Sequence, residues 1–141
     1  MDKNLQKIAH FIADHHVLTL ATAVDNKVNA CSLFYAYDEI SYSFIVASSE
    51  ETLHIEQIKQ NPQIAGNILL ETKEVGKIQG LQFRGTFQRL KDAKLKSLYF
   101  KRFPYSLALR PTLWQIKANY FKLTDNRLGF GKKLIWQKTS P

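Results

Sequence analysis

One stretch, Ile78-Gln79-Gly80-Leu81-Gln82-Phe83-Arg84-Gly85-Thr86-Phe87-Gln88-Arg89-Leu90, decides the fold class of this chain. Apolar and polar side chains alternate along it, with Leu81, Phe83 and Phe87 on one face and polar side chains between them. This period of two is typical of a β-strand that buries one face and leaves the other open. Gly85 interrupts the pattern, so we expect a β-bulge or a close approach of two backbones there.

The segments on either side of this strand also favour β-structure. Four strands are predicted before it and one after it, over residues 17–23, 28–37, 41–47, 64–70 and 114–123. Asp25-Asn26 supplies a tight turn between the first two strands. Strands joined by turns as short as this must be antiparallel, because a parallel pair needs a long crossover.

Three short helices are predicted around these strands. The first covers residues 2–15 with Asp2 as its N-cap, and the third runs from the cap Asp92 to residue 102. The second is opened by Ser48 and Glu51, which have capping-box spacing, and is ended by Asn61-Pro62. We therefore predict a mainly β (α+β) fold, a six-stranded antiparallel β-barrel with short flanking helices.

The composition limits the class of protein. A chain of 141 residues with 45% apolar side chains suits one globular domain over residues 1–141. No apolar run approaches the roughly 20 residues that a membrane-spanning helix needs, so we expect no membrane partner. A single cysteine, Cys31, cannot form an internal disulfide. Because no export signal is recognised either, we expect a cytoplasmic protein.

The charge is distributed unevenly. Residues 1–76 carry 5 Lys and no Arg against 10 Asp or Glu, whereas residues 77–141 carry 15 Lys or Arg against Asp92 and Asp125. The formal net charge of +8 therefore arises from the C-terminal half. This excess favours an anionic ligand. It does not by itself favour a nucleic acid, because the aromatic side chains are not interleaved with Lys or Arg in a known reading motif.

No motif in the sequence has the full pattern of a known catalytic or phosphate-binding loop. Gly129-Phe130-Gly131-Lys132-Lys133 lacks the glycine spacing of a P-loop, so we interpret it as a glycine turn before a short strand. The histidines have no zinc-site spacing, and we predict no metal. Cys31 has no histidine near it in sequence, and no serine lies in a nucleophile elbow. Any chemistry must therefore come from a cofactor.

Thr52 and His54 lie in the first turn of the second predicted helix. A helix start offers free backbone N–H groups and the positive end of the helix dipole, which together attract anions. A hydroxyl and an imidazole at this place would complete an anion site. The alternative is an ordinary capped helix with an exposed histidine.

The order of elements and several motifs resemble the pyridoxamine-phosphate-oxidase-like FMN-binding split barrels. These proteins have a Ser or Thr after the third strand, a Lys or Arg two residues later, and then Asn-Pro. Thr52, His54 and Asn61-Pro62 occupy those places here, and His54 departs from the pattern. The chain is closer still to a group of uncharacterised bacterial YhbP-like proteins. Its matches to that group are Ile78 to Gly85, Lys101-Arg102-Phe103-Pro104 and the tail from Lys122 to Trp136.

This resemblance implies a homodimer that holds FMN between its subunits. The FMN phosphate would lie on Thr52 and His54, with Ser48 or Ser49 beside them. Arg84 or a lysine of the tail can supply positive charge, since His54 stands where most relatives have Lys or Arg. The isoalloxazine would lie near Asn29, Ala30, Cys31, Ser32 and Ala47. The partner subunit would close the site with Trp114 and Gln82.

Three functions are compatible with the sequence. The resemblance favours a flavin-dependent oxidoreductase of unknown substrate, with a reduced nicotinamide as reductant, but not a true pyridoxamine-phosphate oxidase. A non-catalytic flavin-binding protein, or one that binds haem or a deazaflavin, is the alternative. A nucleic-acid-binding protein is the least favoured.

Overall fold

The computed structural model describes residues 2–139. Within this range, seven strands form one antiparallel sheet. The strands are β1 Val17–Val24, β2 Lys27–Asp38, β3 Ser43–Ala47, β4 Gln63–Leu70, β5 Gln79–Arg89, β6 Leu113–Asp125 and β7 Lys133–Gln137. Their order is β3-β2-β1-β4-β5-β6-β7, and a further pairing between β3 and β6 closes six of them into a ring. The predicted six-stranded antiparallel barrel is therefore confirmed. β7 is the short strand predicted after the glycine turn, and it pairs with β6 outside the ring.

Three α-helices accompany the barrel: α1 Lys3–Ala13, α2 Leu53–Gln60 and α3 Ala93–Arg102. The caps predicted for the first and third helices are confirmed. Asp2 accepts from the backbone N–H of Asn4 at 2.7 Å, and Asp92 accepts from that of Lys94 at 2.8 Å. Short 3₁₀ turns lie at Val75–Lys77, Pro104–Leu109 and Asn126–Leu128.

The predicted start of the second helix is wrong. α2 begins at Leu53 with Thr52 as N-cap, so Ser48 and Glu51 do not form a capping box. The backbone of Ser48 is instead held by β6 and the loop before it. Its N–H donates to the Thr112 carbonyl at 3.0 Å, and its carbonyl accepts from the Trp114 indole at 2.8 Å. These tertiary bonds keep the chain extended past β3.

The core fills the barrel and extends beneath two of the helices. Phe44, Phe83 and Phe121 are fully buried inside the ring, where each burial stabilises the fold by about 1.5–3 kcal/mol. α1 covers part of this core with its apolar side, and the Tyr35 hydroxyl donates to the Ile12 carbonyl at 2.6 Å. A smaller cluster packs α3 against β2 and β3.

The glycine in the fold-determining strand lies where two backbones meet. The β5–β6 register shifts between Arg84 and Gly85, which confirms the predicted bulge. A Cβ atom on Gly85 would lie 2.1 Å from the carbonyl oxygen of Lys117 on β6, so no side chain fits there.

Strand β2 extends well beyond its pairing with β3. Asp25 and Asn26 adopt positive φ angles of 51° and 64° and form the tight turn predicted between β1 and β2. β1 pairs with β2 along its whole length, but β3 pairs with Tyr35–Asp38 alone. The segment 27–34 of β2 therefore has an edge with no strand partner within the described residues.

No helix among residues 2–139 has the length and apolarity needed to cross a membrane.

Candidate functional site

Three side chains meet at the start of α2. The Ser48 hydroxyl lies 2.5 Å from Nε2 of His54, and the Thr52 hydroxyl lies 3.3 Å from the same nitrogen. Thr52 also donates its hydroxyl proton to the Ser49 carbonyl at 2.9 Å. The structure thus brings four of the predicted phosphate-site residues into one hydrogen-bonded cluster.

His54 is buried behind the two hydroxyls, with 8% of its surface exposed. Burial lowers the pKa of its imidazole, because desolvation disfavours the charged ring. A neutral ring can carry its proton on Nε2 and donate to the Ser48 oxygen, which frees the Ser48 proton for an incoming acceptor. The cluster can therefore offer hydrogen-bond donors to an anion without a charged histidine.

The helix start contributes backbone donors. The first N–H groups of a helix have no partner within the helix. The Thr52 side chain does not accept from a backbone N–H of the first turn of α2, and its hydroxyl donates to the Ser49 carbonyl. These N–H groups and the helix dipole favour negative charge at this point.

Arg89 is a cation at this site that the sequence did not indicate. Its guanidinium pairs with the Glu50 carboxylate at 2.5 Å, and its centre lies 5.3 Å from the centroid of the Trp114 ring. Trp114 in turn bonds to the Ser48 carbonyl. Arg89 therefore lies against the same loop as Ser48 and Thr52. The partners Glu50 and Arg89 are far apart in sequence, and no local pattern could have joined them.

Trp114 lies in the core of its own chain, 5% exposed and packed against Phe87 with ring centroids 5.6 Å apart. Its observed role is to fix the loop at Ser48. The expectation that the partner subunit's Trp114 reaches a flavin stays a prediction. Ala47 ends β3 opposite Leu113, directly before the cluster.

The unpaired edge of β2 carries the other predicted flavin neighbours. The Tyr35 N–H donates to the His16 carbonyl on the β1 side, and backbone groups alternate sides along an antiparallel strand. The N–H and C=O groups of Ala30 and Ser32 therefore face the open edge. Asn29 and Cys31 direct half-buried side chains towards the interior.

Helix α2 lies beside this edge. Gln57 on α2 bonds to the Lys27 carbonyl at 3.4 Å and to the Thr22 hydroxyl at 2.5 Å, and Asn61 bonds to the Ala23 carbonyl at 2.8 Å. The helix thus starts near the end of β3 and reaches the β1–β2 turn by its last residues. The helix-start cluster and the open strand edge belong to one region.

Cys31 has little nucleophilic character in this position. Burial raises the pKa of its thiol, so the thiolate is disfavoured at neutral pH. Among residues 2–139, no three His, Cys, Asp or Glu side chains are grouped in a way that could hold a metal ion.

Gln82 and Arg84 lie apart from the helix-start cluster. Both are exposed on the outer face of the barrel, in cross-strand rows with β4 and β1. Arg84 stacks on Tyr120, 3.9 Å from the ring centroid, beside two shallow hollows floored by Ala21 and Ala65. Five residues of strand separate Arg84 from Arg89, about 16 Å. Within one chain, Arg84 therefore lies too far from the start of α2 to belong to the helix-start cluster.

The chain is similar over nearly its whole length to curated bacterial proteins. It is 39% identical over 139 residues to a UPF0306 protein of Photorhabdus laumondii, covering 96% of this chain and 97% of the relative. It is 32% identical over 141 residues to the UPF0306 protein YhbP of Escherichia fergusonii, covering 98% and 96%. No family model matches the chain.

Solved structures share the fold at low sequence identity. A haem-binding protein from Mycobacterium smegmatis superposes with a TM-score of 0.79 at 12% identity, over 97% of this chain and 59% of that one. An FAD-binding protein from Mesorhizobium loti gives 0.71 at 14% identity, over 84% and 90%. A proposed pyridoxamine 5'-phosphate oxidase from Listeria innocua gives 0.65 at 16% identity, over 84% and 96%.

The relatives show the family, and the solved structures show the fold. The chain belongs to the UPF0306 (YhbP) family and folds as a pyridoxamine-phosphate-oxidase-like split barrel.

Proposed function

We propose that this chain binds FMN as a homodimer and serves as a flavin-dependent oxidoreductase with a reduced nicotinamide as reductant. The observation that carries the proposal is the position of a helix start with uncapped N–H groups beside an unpaired strand edge. The phosphate would lie at Ser48, Thr52 and the first N–H groups of α2, and the ring system along Ala30 and Ser32.

The residues present fit a flavin phosphate. Two hydroxyls, a buried imidazole and uncapped N–H groups meet at one point, and Arg89 brings a positive charge to the same loop. The paired Glu50 carboxylate would have to give up Arg89 to the phosphate. His54 would act through the hydroxyls, by orienting the Ser48 oxygen. Ser49, exposed in the same loop, stays a predicted contact.

The open strand edge fits the polar rim of a flavin ring. Backbone N–H and C=O groups of Ala30 and Ser32 can bond to ring nitrogens and carbonyls without a special side chain. A bound flavin supplies two-electron redox chemistry. The chain itself would bind and orient the flavin, and Gln57 and Asn61 would hold α2 against the β1–β2 turn beside it.

The outer face of β1, β2, β4 and β5 favours a homodimer. It exposes Val28 on β2, with 81% of its surface accessible, beside the small side chains Ala21 and Ala65. Phe34, 52% accessible, lies six residues further along the same face of β2. Exposed apolar side chains on one face of a sheet favour association. In such a dimer, Gln82 and Arg84 of one subunit would lie between the two barrels.

The experiment is an FMN titration followed by the quenching of flavin fluorescence. Thr52→Val removes a hydroxyl and keeps the shape of the side chain, and Thr124→Val makes the same change at the far end of β6. A hydrogen bond to a charged group is worth about 1.5–3 kcal/mol, so Thr52→Val should weaken FMN binding about tenfold or more. Thr124→Val should leave the affinity unchanged. Equal affinities for both variants would place the phosphate elsewhere.

Haem is the second candidate ligand, because a protein named as haem-binding shares the fold with a TM-score of 0.79. The absorbance spectrum of the loaded protein separates the two, since a haem gives a Soret band and a flavin does not. Oxidation of a reduced nicotinamide by the FMN-loaded protein would then distinguish an oxidoreductase from a non-catalytic flavin-binding protein.

A further inference from the structure

A separate cleft of about 610 Å³ lies between α1 and the 3₁₀ turn Asn126–Leu128. Its floor is apolar and is made by Phe11 on α1 with Leu70, Leu123 and Leu134 from three strands. The hollows on the outer face of the barrel are smaller, at about 420 and 380 Å³. A cleft of this volume with an apolar floor and few polar groups is typical of small-molecule sites.

An ion pair between the buried Asp125 and the exposed Arg127 forms one wall of the cleft. Asp125 is 4% exposed, and both of its carboxylate oxygens accept from the Arg127 side chain, at 3.0 and 2.9 Å. These bonds hold the pKa of Asp125 below its ordinary value. Arg127 also donates to the Gln79 side chain at 3.0 Å. The guanidinium is therefore held in place, and both Asp125 oxygens already accept from Arg127.

The opposite wall is the exposed face of α1. Lys7 and His10 are three residues apart, so they lie on the same face of the helix. His10 is 3.5 Å from the Asp14 carboxylate, whereas Lys7 makes no ion pair with any residue from 2 to 139. The Lys7 ammonium also acts on Asp125 by Coulomb attraction across the cleft. The two carboxylates that line the cleft, Asp14 and Asp125, are thus each beside a basic side chain, His10 and Arg127, whereas the Lys7 ammonium is open to a ligand.

We propose that this cleft binds a small amphipathic anion, an aliphatic or aromatic monocarboxylate. Its apolar part would cover the floor at Phe11 and Leu123, and its carboxylate would lie between Lys7 and Arg127. None of the helix-start cluster, of the open edge of β2 or of Gln82 and Arg84 lines the cleft. The site is therefore distinct from the proposed flavin site and does not depend on it.

The test is a titration of the full chain with decanoate, followed by calorimetry and by backbone NMR shifts. Decylammonium, with the same tail and the opposite charge, is the matched ligand. Lys7→Glu reverses an exposed positive charge at the mouth of the cleft, and Lys96→Glu makes the same change on the exposed face of α3. Both side chains are exposed, so neither change should unfold the protein.

We expect decanoate to shift the amide signals of Phe11, Leu70 and Leu123 and to bind more tightly than decylammonium. Lys7→Glu should weaken decanoate about fivefold or more, and Lys96→Glu should leave it unchanged. FMN affinity should be the same in all three proteins. Equal binding of both ligands, equal effects of the two variants, or shifts confined to the outer face of the barrel would overturn the proposal.

Discussion

At the residue scale, the pKa of His54 links the helix-start cluster to stability. Burial lowers this pKa below its ordinary value of 6.5. Between these two values the unfolded chain binds a proton at His54 and the folded chain does not. The free energy of unfolding should therefore fall as the pH decreases from 7.5 through 6.5 towards the folded pKa.

His54→Gln tests this dependence. Glutamine can still bond to Ser48 and does not titrate, so the variant should lose less stability than the parent between pH 7.5 and pH 5.5. Urea unfolding at the two pH values measures the difference. His10, His15 and His16 are present in both proteins, so a difference between the two reports on His54. Parallel losses would mean that His54 has the same pKa folded and unfolded.

Arg89 and Arg84 mark two alternative positions for the FMN phosphate, and substitutions at these residues distinguish them. Arg89 lies against the loop that carries Ser48 and Thr52, whereas Arg84 stacks on Tyr120 on the outer face. Arg89→Gln should therefore weaken FMN binding about tenfold, as expected for one charge-assisted hydrogen bond to the phosphate. Arg84→Gln should have a smaller effect in the same fluorescence titration. The reverse order would assign the phosphate to the outer face, as the sequence alone allowed.

The sequence predicted the residues of the helix-start cluster but not how they interact. Thr52 and His54 were found because the motif lies within one short segment. The capping role assigned to Ser48 was wrong, since its backbone is bound by Thr112 and Trp114, more than 60 positions away. Contacts between distant segments leave no local pattern, and this is also why Arg89 was missed.

At the scale of elements, the alternating side chains of β5 and the turn residues were the features that predicted the fold. Period-two patterns reflect burial of one strand face, which the sheet reproduces at every inward position from Leu81 to Phe87. The pairing of β7 with β6 outside the ring and the open edge of β2 depend on how far each strand pairs with its neighbour. The side-chain pattern of one strand does not encode that length.

Gly85 gives a prediction about the β5–β6 pair. A methyl group there would lie 2.1 Å from the Lys117 carbonyl oxygen, which is backbone and cannot move without breaking the ladder. Gly85→Ala should therefore lower the free energy of unfolding by more than about 2 kcal/mol. The matched change is Gly76→Ala, where nothing lies within 4 Å of the new methyl group. It should be neutral or stabilise by a few tenths of a kcal/mol up to about 1 kcal/mol. Urea unfolding of both variants provides the measurement, and similar losses would mean that the bulge can absorb a side chain.

At the scale of the whole molecule, the two proposed sites lie in different parts of one barrel. The helix-start cluster and the open edge of β2 adjoin the outer face, which we propose as the dimer interface. The cleft beside α1 is lined by Arg127 and Leu134 near the C-terminal end of the sheet. A flavin shared between subunits would depend on assembly, whereas a ligand in the cleft would not. A change in oligomeric state should therefore affect ligand binding at the flavin site but not in the cleft.

Val28→Glu tests the interface and the flavin site together. Val28 is 81% exposed in the isolated chain, so a charge there should cost the monomer little, but it would be buried unpaired in the proposed dimer. Light scattering should give twice the chain mass of 16.3 kDa for the parent and the single chain mass for the variant. The variant should also bind FMN more weakly, because the partner's contribution is lost, yet bind decanoate as before.

Ile40→Glu places the same charge at an 86% exposed aliphatic position in the β2–β3 turn, away from the outer face, and should remain dimeric. A Val28→Glu protein that keeps the dimer mass would exclude this face as the interface. A monomeric variant with unchanged FMN affinity would instead show that one chain holds the flavin alone, which would remove Gln82 and Arg84 of the partner from the site.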